Sequence, residues 1–188
     1  MKKYNYKFIS VTLLILVHIT ACTQNHDQLD HKKKETAETV NLLNYYVKQE
    51  LKKDSIILFE TTAKYTSILD LEKAVKDIGD KKLNAIDLYR EAERNKMQWS
   101  KELAPMATIL TEKNSRKLRS PVVLSDYTTV LGDGFYRISP PLYSKDFRFA
   151  MLYSEYVCGS RCGEGKMLLF RKDNNIWKLI KTYNSVEF

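Results

Sequence analysis

The chain predicts an α+β fold, with amino-terminal helices packed on a carboxyl-terminal antiparallel β-meander of about five strands. Three observations predict it. Five of the six glycines lie between positions 132 and 165 and all four prolines lie beyond position 104, so only Gly79 interrupts residues 35–104. Apolar residues in that first part recur at three-four spacing, the period of a helix with one buried face. Residues 120–188 hold 12 of the 18 aromatic residues that follow position 21, a composition suited to pleated, half-buried strands.

Residues 1–21 read as a lipoprotein signal peptide. Lys2, Lys3 and Lys7 make a basic start, positions 8–19 are almost unbroken apolar sequence, and Ile19-Thr20-Ala21-Cys22 follows. That site resembles the bacterial lipobox, in which the cysteine is acylated and becomes the new amino terminus. Cys22 is therefore the expected lipidation site, with a conventional cleaved signal and an incidental cysteine as the alternative. Several acyl chains hold a protein on a bilayer without a spanning helix. Residues 22–34 are expected as the lipidated cysteine and a flexible polar tether. Thr23-Gln24-Asn25-His26 resembles neither an aspartate retention signal nor an acidic surface-export signal, which favours an outer-membrane anchor facing the periplasm.

Residues 35–188 are expected to form a single α+β domain, with 35–119 mainly helical and 120–188 mainly β. Val40, Leu43, Val47 and Leu51 form one helical stripe. Ile68, Leu71, Val75 and Ile78 form a second, which Gly79 stops. Asp80 then suits an N-cap for a third helix from Lys81 to about Leu103, carrying Ile86, Tyr89, Ala92 and Trp99 across a charged stretch at 93–96. Ile56 to Phe59 fits a short helix or a short strand. The expected strands are Tyr127 to Leu131, Phe135 to Ser139, Arg148 to Cys158, Lys166 to Lys172 and Ile176 to Tyr183. Turn chemistry separates them at Gly132-Asp133-Gly134, Ser144-Lys145-Asp146, the glycine-rich segment after Cys158, and Asp173-Asn174-Asn175.

Four segments of the second half carry a resemblance: Ser139-Pro140-Pro141-Leu142-Tyr143-Ser144-Lys145-Asp146, Ala150-Met151-Leu152-Tyr153, Cys158-Gly159-Ser160-Arg161-Cys162-Gly163-Glu164-Gly165, and the basic hairpin ending Trp177-Lys178-Leu179-Ile180. Together they resemble an uncharacterised group of exported Bacteroidota proteins and lipoproteins with a C-G-x-x-C-G-x-G hairpin followed by a W-K strand. Asn174-Asn175-Ile176 stands where glycine-lysine usually precedes the tryptophan. The resemblance covers about the last 60 residues. It implies export and transfers no catalytic residue.

Chemistry is constrained mainly by what is missing from the composition. The three histidines are His18, His26 and His31, all in the expected signal or tether, so a histidine triad, a histidine-ligated zinc or an imidazole base has no residue in the expected domain to supply it. No metal site and no cofactor are expected. Nucleotide-binding glycine loops and serine nucleophile elbows are also missing from the sequence. Cys158 and Cys162 are expected to form a structural disulfide, with free thiols or a redox or metal pair as alternatives. Asp133, Glu155 and Glu164 are candidate paired carboxylates for an envelope hydrolase, and Arg161 with Glu164 marks a candidate binding loop. Tyr143, Tyr153 and Tyr156 are either the floor of a ligand groove or cross-strand partners.

The formal charge of +8 falls to +5 without the three signal lysines. Lys32, Lys33 and Lys34 lie beside the expected anchor, and Lys113, Arg116, Lys117 and Arg119 form a second cluster suited to an anionic glycan, a lipid headgroup or plain solvation. The expected partners are the membrane, through the lipid, and an envelope protein or glycan, with no nucleic acid. The expected function is a non-catalytic binding module, with the carboxylate hydrolase as the alternative.

Overall fold

A computed structural model describes residues 29–65, 67–81, 83–118, 134–159 and 162–187. The expected signal, Cys22, the strand at 127–131, Asp133, Arg119 and Arg161 lie outside the described residues. The chain divides into two units, Met1–Glu38 and Thr39–Phe188.

In the first unit residues 29–38 are helical, which corrects the expectation of a flexible tether through Lys34. The residues here are mostly lysine, glutamate, threonine and alanine, with neither glycine nor proline to break a helix, and the Thr36 hydroxyl donates to the Lys32 carbonyl at 2.9 Å.

In the second unit residues 39–45 form helix α1, which a π turn, Tyr46–Glu50, closes; there the Leu51 amide donates to the Tyr46 carbonyl at 3.0 Å. Leu42, Leu43, Tyr46 and Val47 are buried. The expected stripe thus holds at Leu43 and Val47, while Val40 and Leu51 are only half-buried. The segment left open is a strand, β1 (Ile56–Phe59).

Next comes α2 (Ile68–Ile78), as the apolar spacing predicts. The Ser67 hydroxyl accepts from the Asp70 amide at 3.3 Å, and Gly79 ends the helix at φ 71°, a left-handed conformation that glycine takes without a Cβ penalty.

The third helix is shorter than expected. α3 (Ala85–Arg94) is capped by Asn84, whose side-chain oxygen accepts from the Ile86 and Asp87 amides, and not by Asp80. Its buried residues are Ala85 and Leu88, whereas Ile86 is exposed. The charged stretch at 93–96 ends it, because four polar residues give the last turn nothing to bury. Trp99 then enters the core from irregular chain, its indole N–H donating to the Ile138 carbonyl at 2.9 Å.

A second strand inside the expected helical part, β2 (Ala107–Leu110), precedes α4 (Glu112–Leu118). Then follow β3 (Phe135–Ile138), β4 (Leu142–Tyr143), β5 (Phe149–Gly159), β6 (Cys162–Asp173) and β7 (Ile176–Glu187).

All seven strands form one sheet in the order β2-β1-β3-β5-β6-β7, with β4 on β5. β1 runs parallel to both β2 and β3, and the remaining pairs are antiparallel. The α+β class therefore holds, and the simple five-strand meander does not. Helices lie on both faces. Ala150, Leu152, Leu168, Phe170 and Trp177 pack with Leu42, Leu43, Tyr46 and Val47 of α1 and its π turn. Met151, Met167, Leu169 and Tyr183 pack with Leu71 and Ala74 of α2 and Ala85 and Leu88 of α3. Burial on both sides explains why Ala150-Met151-Leu152 and Met167-Leu168-Leu169-Phe170 are continuous apolar runs.

Turn residues hold the strands in register. Ser139 and Ser144 are buried. The Ser139 hydroxyl accepts from the Tyr153 amide at 2.9 Å, and the Ser144 hydroxyl donates to Asp146 at 2.7 Å and accepts from the Phe149 amide at 3.0 Å. Asn174 and Asn175 take φ 49° and 63°, the pattern of a two-residue hairpin turn.

Candidate functional site

β5 and β6 form the longest antiparallel pair that bears candidate residues. Their ladder runs unbroken from Phe149 opposite Arg171 to Val157 opposite Gly163, then shifts by one residue so that Gly159 faces Cys162. Cys158 is the extra residue of that bulge and is half-buried. The side chain of Cys162 lies outside the described residues.

Only Ser160 and Arg161 remain between the strands. The expected loop from Cys158 to Gly165 is therefore mostly strand, because the glycines at 163 and 165 continue the ladder. The phenol of Tyr153 packs over Gly165, where a Cβ would have to displace it. The tip begins where β3 ends its pairing, at Phe135 opposite Val157.

The candidate acids fall on different sides. Glu155 pairs with Gly165 across the ladder and Tyr156 with Glu164, so alternation places Glu155 and Glu164 on opposite faces of the sheet. Glu155 accepts from Arg137 of β3 at 3.2 Å. Glu164 lies 3.3 Å from Lys166. Two carboxyls on opposite faces cannot flank one glycosidic bond, so the structure does not bring this pair together as a catalytic dyad. Among the described residues the acids whose titration is displaced are Asp77, Glu102 and Asp146, and all three are lowered. For Asp77 the donors are Lys181 and then Tyr183, for Glu102 they are the Ser100 side chain and its own backbone amide, and for Asp146 they are Ser144 and then Arg148. A general acid requires the opposite displacement.

Of the three tyrosines, Tyr143 packs on Phe147 and Trp177, with ring centroids 5.1 and 6.0 Å away. Tyr153 leans on Gly165. Tyr156 lies 4.9 Å from Tyr136, with the Lys53 ammonium 5.8 Å above its ring. They are cross-strand and core partners rather than the floor of one groove. Sequence reasoning gave no sign of a separate groove of about 330 Å³ between residues 61–64, the end of α3 and Pro140, floored by Ala63, Ala92 and Met97. Its elements meet through the Thr61–Gln98 bridge and through the Thr62 hydroxyl, which donates to the Met97 carbonyl at 3.2 Å, tertiary contacts that local pattern does not encode. Among the described residues no group of three histidine, cysteine or acidic side chains is placed to hold a metal ion, and no helix is long and apolar enough to cross a membrane.

Comparison of the chain with protein-family models, curated proteins and solved structures finds no match.

Proposed function

We propose that the protein is a membrane-anchored envelope lipoprotein, acylated at Cys22, whose Thr39–Phe188 unit is a non-catalytic binding module. The β5–β6 tip, with Arg161 and Glu164, is its contact with an envelope protein or glycan, and a Cys158–Cys162 disulfide closes the tip. The anchor lies in the outer membrane and faces the periplasm. The resemblance of Ile19-Thr20-Ala21-Cys22 to a lipobox supports the acylation. The observation that carries the binding reading is the placement of Glu155 and Glu164 on opposite faces, each beside a cation, at the end of the β5–β6 ladder. Such a tip presents a shape and a charge pattern but does not enclose a bond to be cleaved.

The test is in-cell crosslinking with the parent chain and with Arg161→Ala and Glu164→Ala variants, alongside hydrolysis of envelope glycans with and without a chelator. Reduced capture by both variants at unchanged thermal stability is the expected result. Unchanged capture, together with chelator-insensitive hydrolysis lost on replacing Asp133, Glu155 or Glu164, would establish the hydrolase instead. Acyl labelling of membrane fractions tests the anchor, and an unmodified Cys22 would remove it.

A further inference from the structure

At the other end of β6 the sheet has a different surface. β7 is the outer strand there, and its opening residues alternate: Ile176, Lys178 and Ile180 are exposed, while Trp177 is buried and Leu179 half-buried. Ile176 and Ile180 keep 59% and 44% of their surface open to solvent. Cations surround them. Arg171 stands opposite Lys178, and Lys181 reaches Asp77 of α2 at 2.7 Å, while Lys172, over the ring of its buried partner Trp177, belongs to the other face. Asp173, opposite Ile176, is the second acid, 3.0 Å from Arg171 and 3.9 Å from Lys178. The patch therefore keeps an excess of positive charge around two isolated apolar side chains.

We propose that this β6–β7 end of the sheet docks on an anionic lipid surface. Ile176 and Ile180 enter the headgroup boundary, while the flexible stem of Lys178 and the Arg171 guanidinium let their charges reach lipid phosphates. Two features favour a bilayer over a second copy of this chain. The β6–β7 register shifts between Leu169 and Phe170 and again between Gly165 and Met167, so β7 carries bulges that interrupt its outer row of backbone donors and acceptors. Two isoleucines separated by a lysine also make no continuous apolar patch for a protein partner. The inference concerns a surface apart from the β5–β6 tip and does not depend on acylation.

The test uses the chain from position 22 onward with Cys22→Ser. This keeps the whole Thr39–Phe188 unit and removes the apolar segment 8–19, whose own insertion would mask the effect. Cosedimentation with vesicles containing phosphatidylglycerol should show binding that added salt weakens and that neutral phosphatidylcholine vesicles do not reproduce. The double variant Ile176→Ser, Ile180→Ser should bind about tenfold more weakly, and Lys178→Gln about fivefold more weakly, with unchanged thermal midpoints. Parent-like binding by the isoleucine variant would overturn the proposal, because Lys32, Lys33 and Lys34 would then account for the attraction. So would equal binding to neutral vesicles, no binding, or a change in oligomeric state in place of a change in vesicle binding.

Discussion

On the antiparallel side of the sheet β5, β6 and β7 have 11 or 12 residues each and follow one another after two residues, whereas on the parallel side β1 and β2 have four residues and meet only after α2 and α3 have been traversed. Each antiparallel pair closes a short loop, so ordering one residue brings its partner close at small entropic cost. The parallel pair has no such local help, and its four backbone pairings depend on the helices docking first. Cohesion in the long strands is thus nearly local and two-sided. At the β1–β2 edge it is borrowed from the packing around it.

The largest expected effect is a core truncation that sets these regions against each other. Phe170 is fully buried on β6 and meets Tyr45 and Tyr46 edge-on at 6.3 and 6.2 Å. Phe170→Ala should cost about 4 kcal/mol in a urea titration, while Ile109→Ala, half-buried at the parallel edge, should cost about 1 kcal/mol. Equal losses would break the comparison.

The hairpin tip comes next. If Cys158 and Cys162 bridge each other, replacing both with serine should lower stability by about 2 kcal/mol or less, since the closed loop is short. Thiol alkylation of envelope material should then rise by two groups only after reduction, and full labelling without reductant would remove the bridge.

A smaller effect joins α1's π turn to β5. The Tyr46 hydroxyl donates to Ser154 Oγ at 2.9 Å, and burial, partly offset by that bond, pushes the phenol's pKa above its ordinary value. Tyr46→Phe should cost about 1 kcal/mol by leaving the buried serine with one partner fewer.

The smallest effect is a pH dependence at Asp146. The Ser144 hydroxyl and then Arg148 hold its carboxyl at about 2, below the ordinary 3.8. A depressed folded-state value means the contribution is present above about pH 4 and is lost as pH falls toward 2. Asp146 is partly exposed, so screening keeps the contribution below about 1 kcal/mol. The stability difference between the parent and Asp146→Asn should shrink across that window. A constant difference would show that the turn is held by other means.

The same contrast governs what the sequence could disclose. Ser67, the apolar spacing from Ile68 and Gly79 define α2 almost to the residue, because caps and periodicity are local signals. The β6–β7 turn is equally readable from Asn174-Asn175. Ala107 to Leu110 carries no turn partner, and its pairing with β1 is set by the docking of the elements between them, so nothing local marks it as a strand. The two-sided cover of β5 did leave a trace in the unbroken run Ala150-Met151-Leu152, which a search for strict alternation passes over. At the tip, cysteine spacing pointed to a hairpin end. The separation of Glu155 from Glu164 needed the register, which a one-residue shift would have reversed.

β6 belongs to both long hairpins, and this gives the domain a direction. Its 12 residues make 11 steps of about 3.3 Å, which set Cys162 about 36 Å from Asp173 at the Asn174–Asn175 turn. Hydrogen-bonded neighbours on both sides make it a strut, so whatever steadies one end also sets the height and heading of the other. A surface met at Asn174 and Ile176 points the Cys158 end outward, where an approaching molecule would encounter it first.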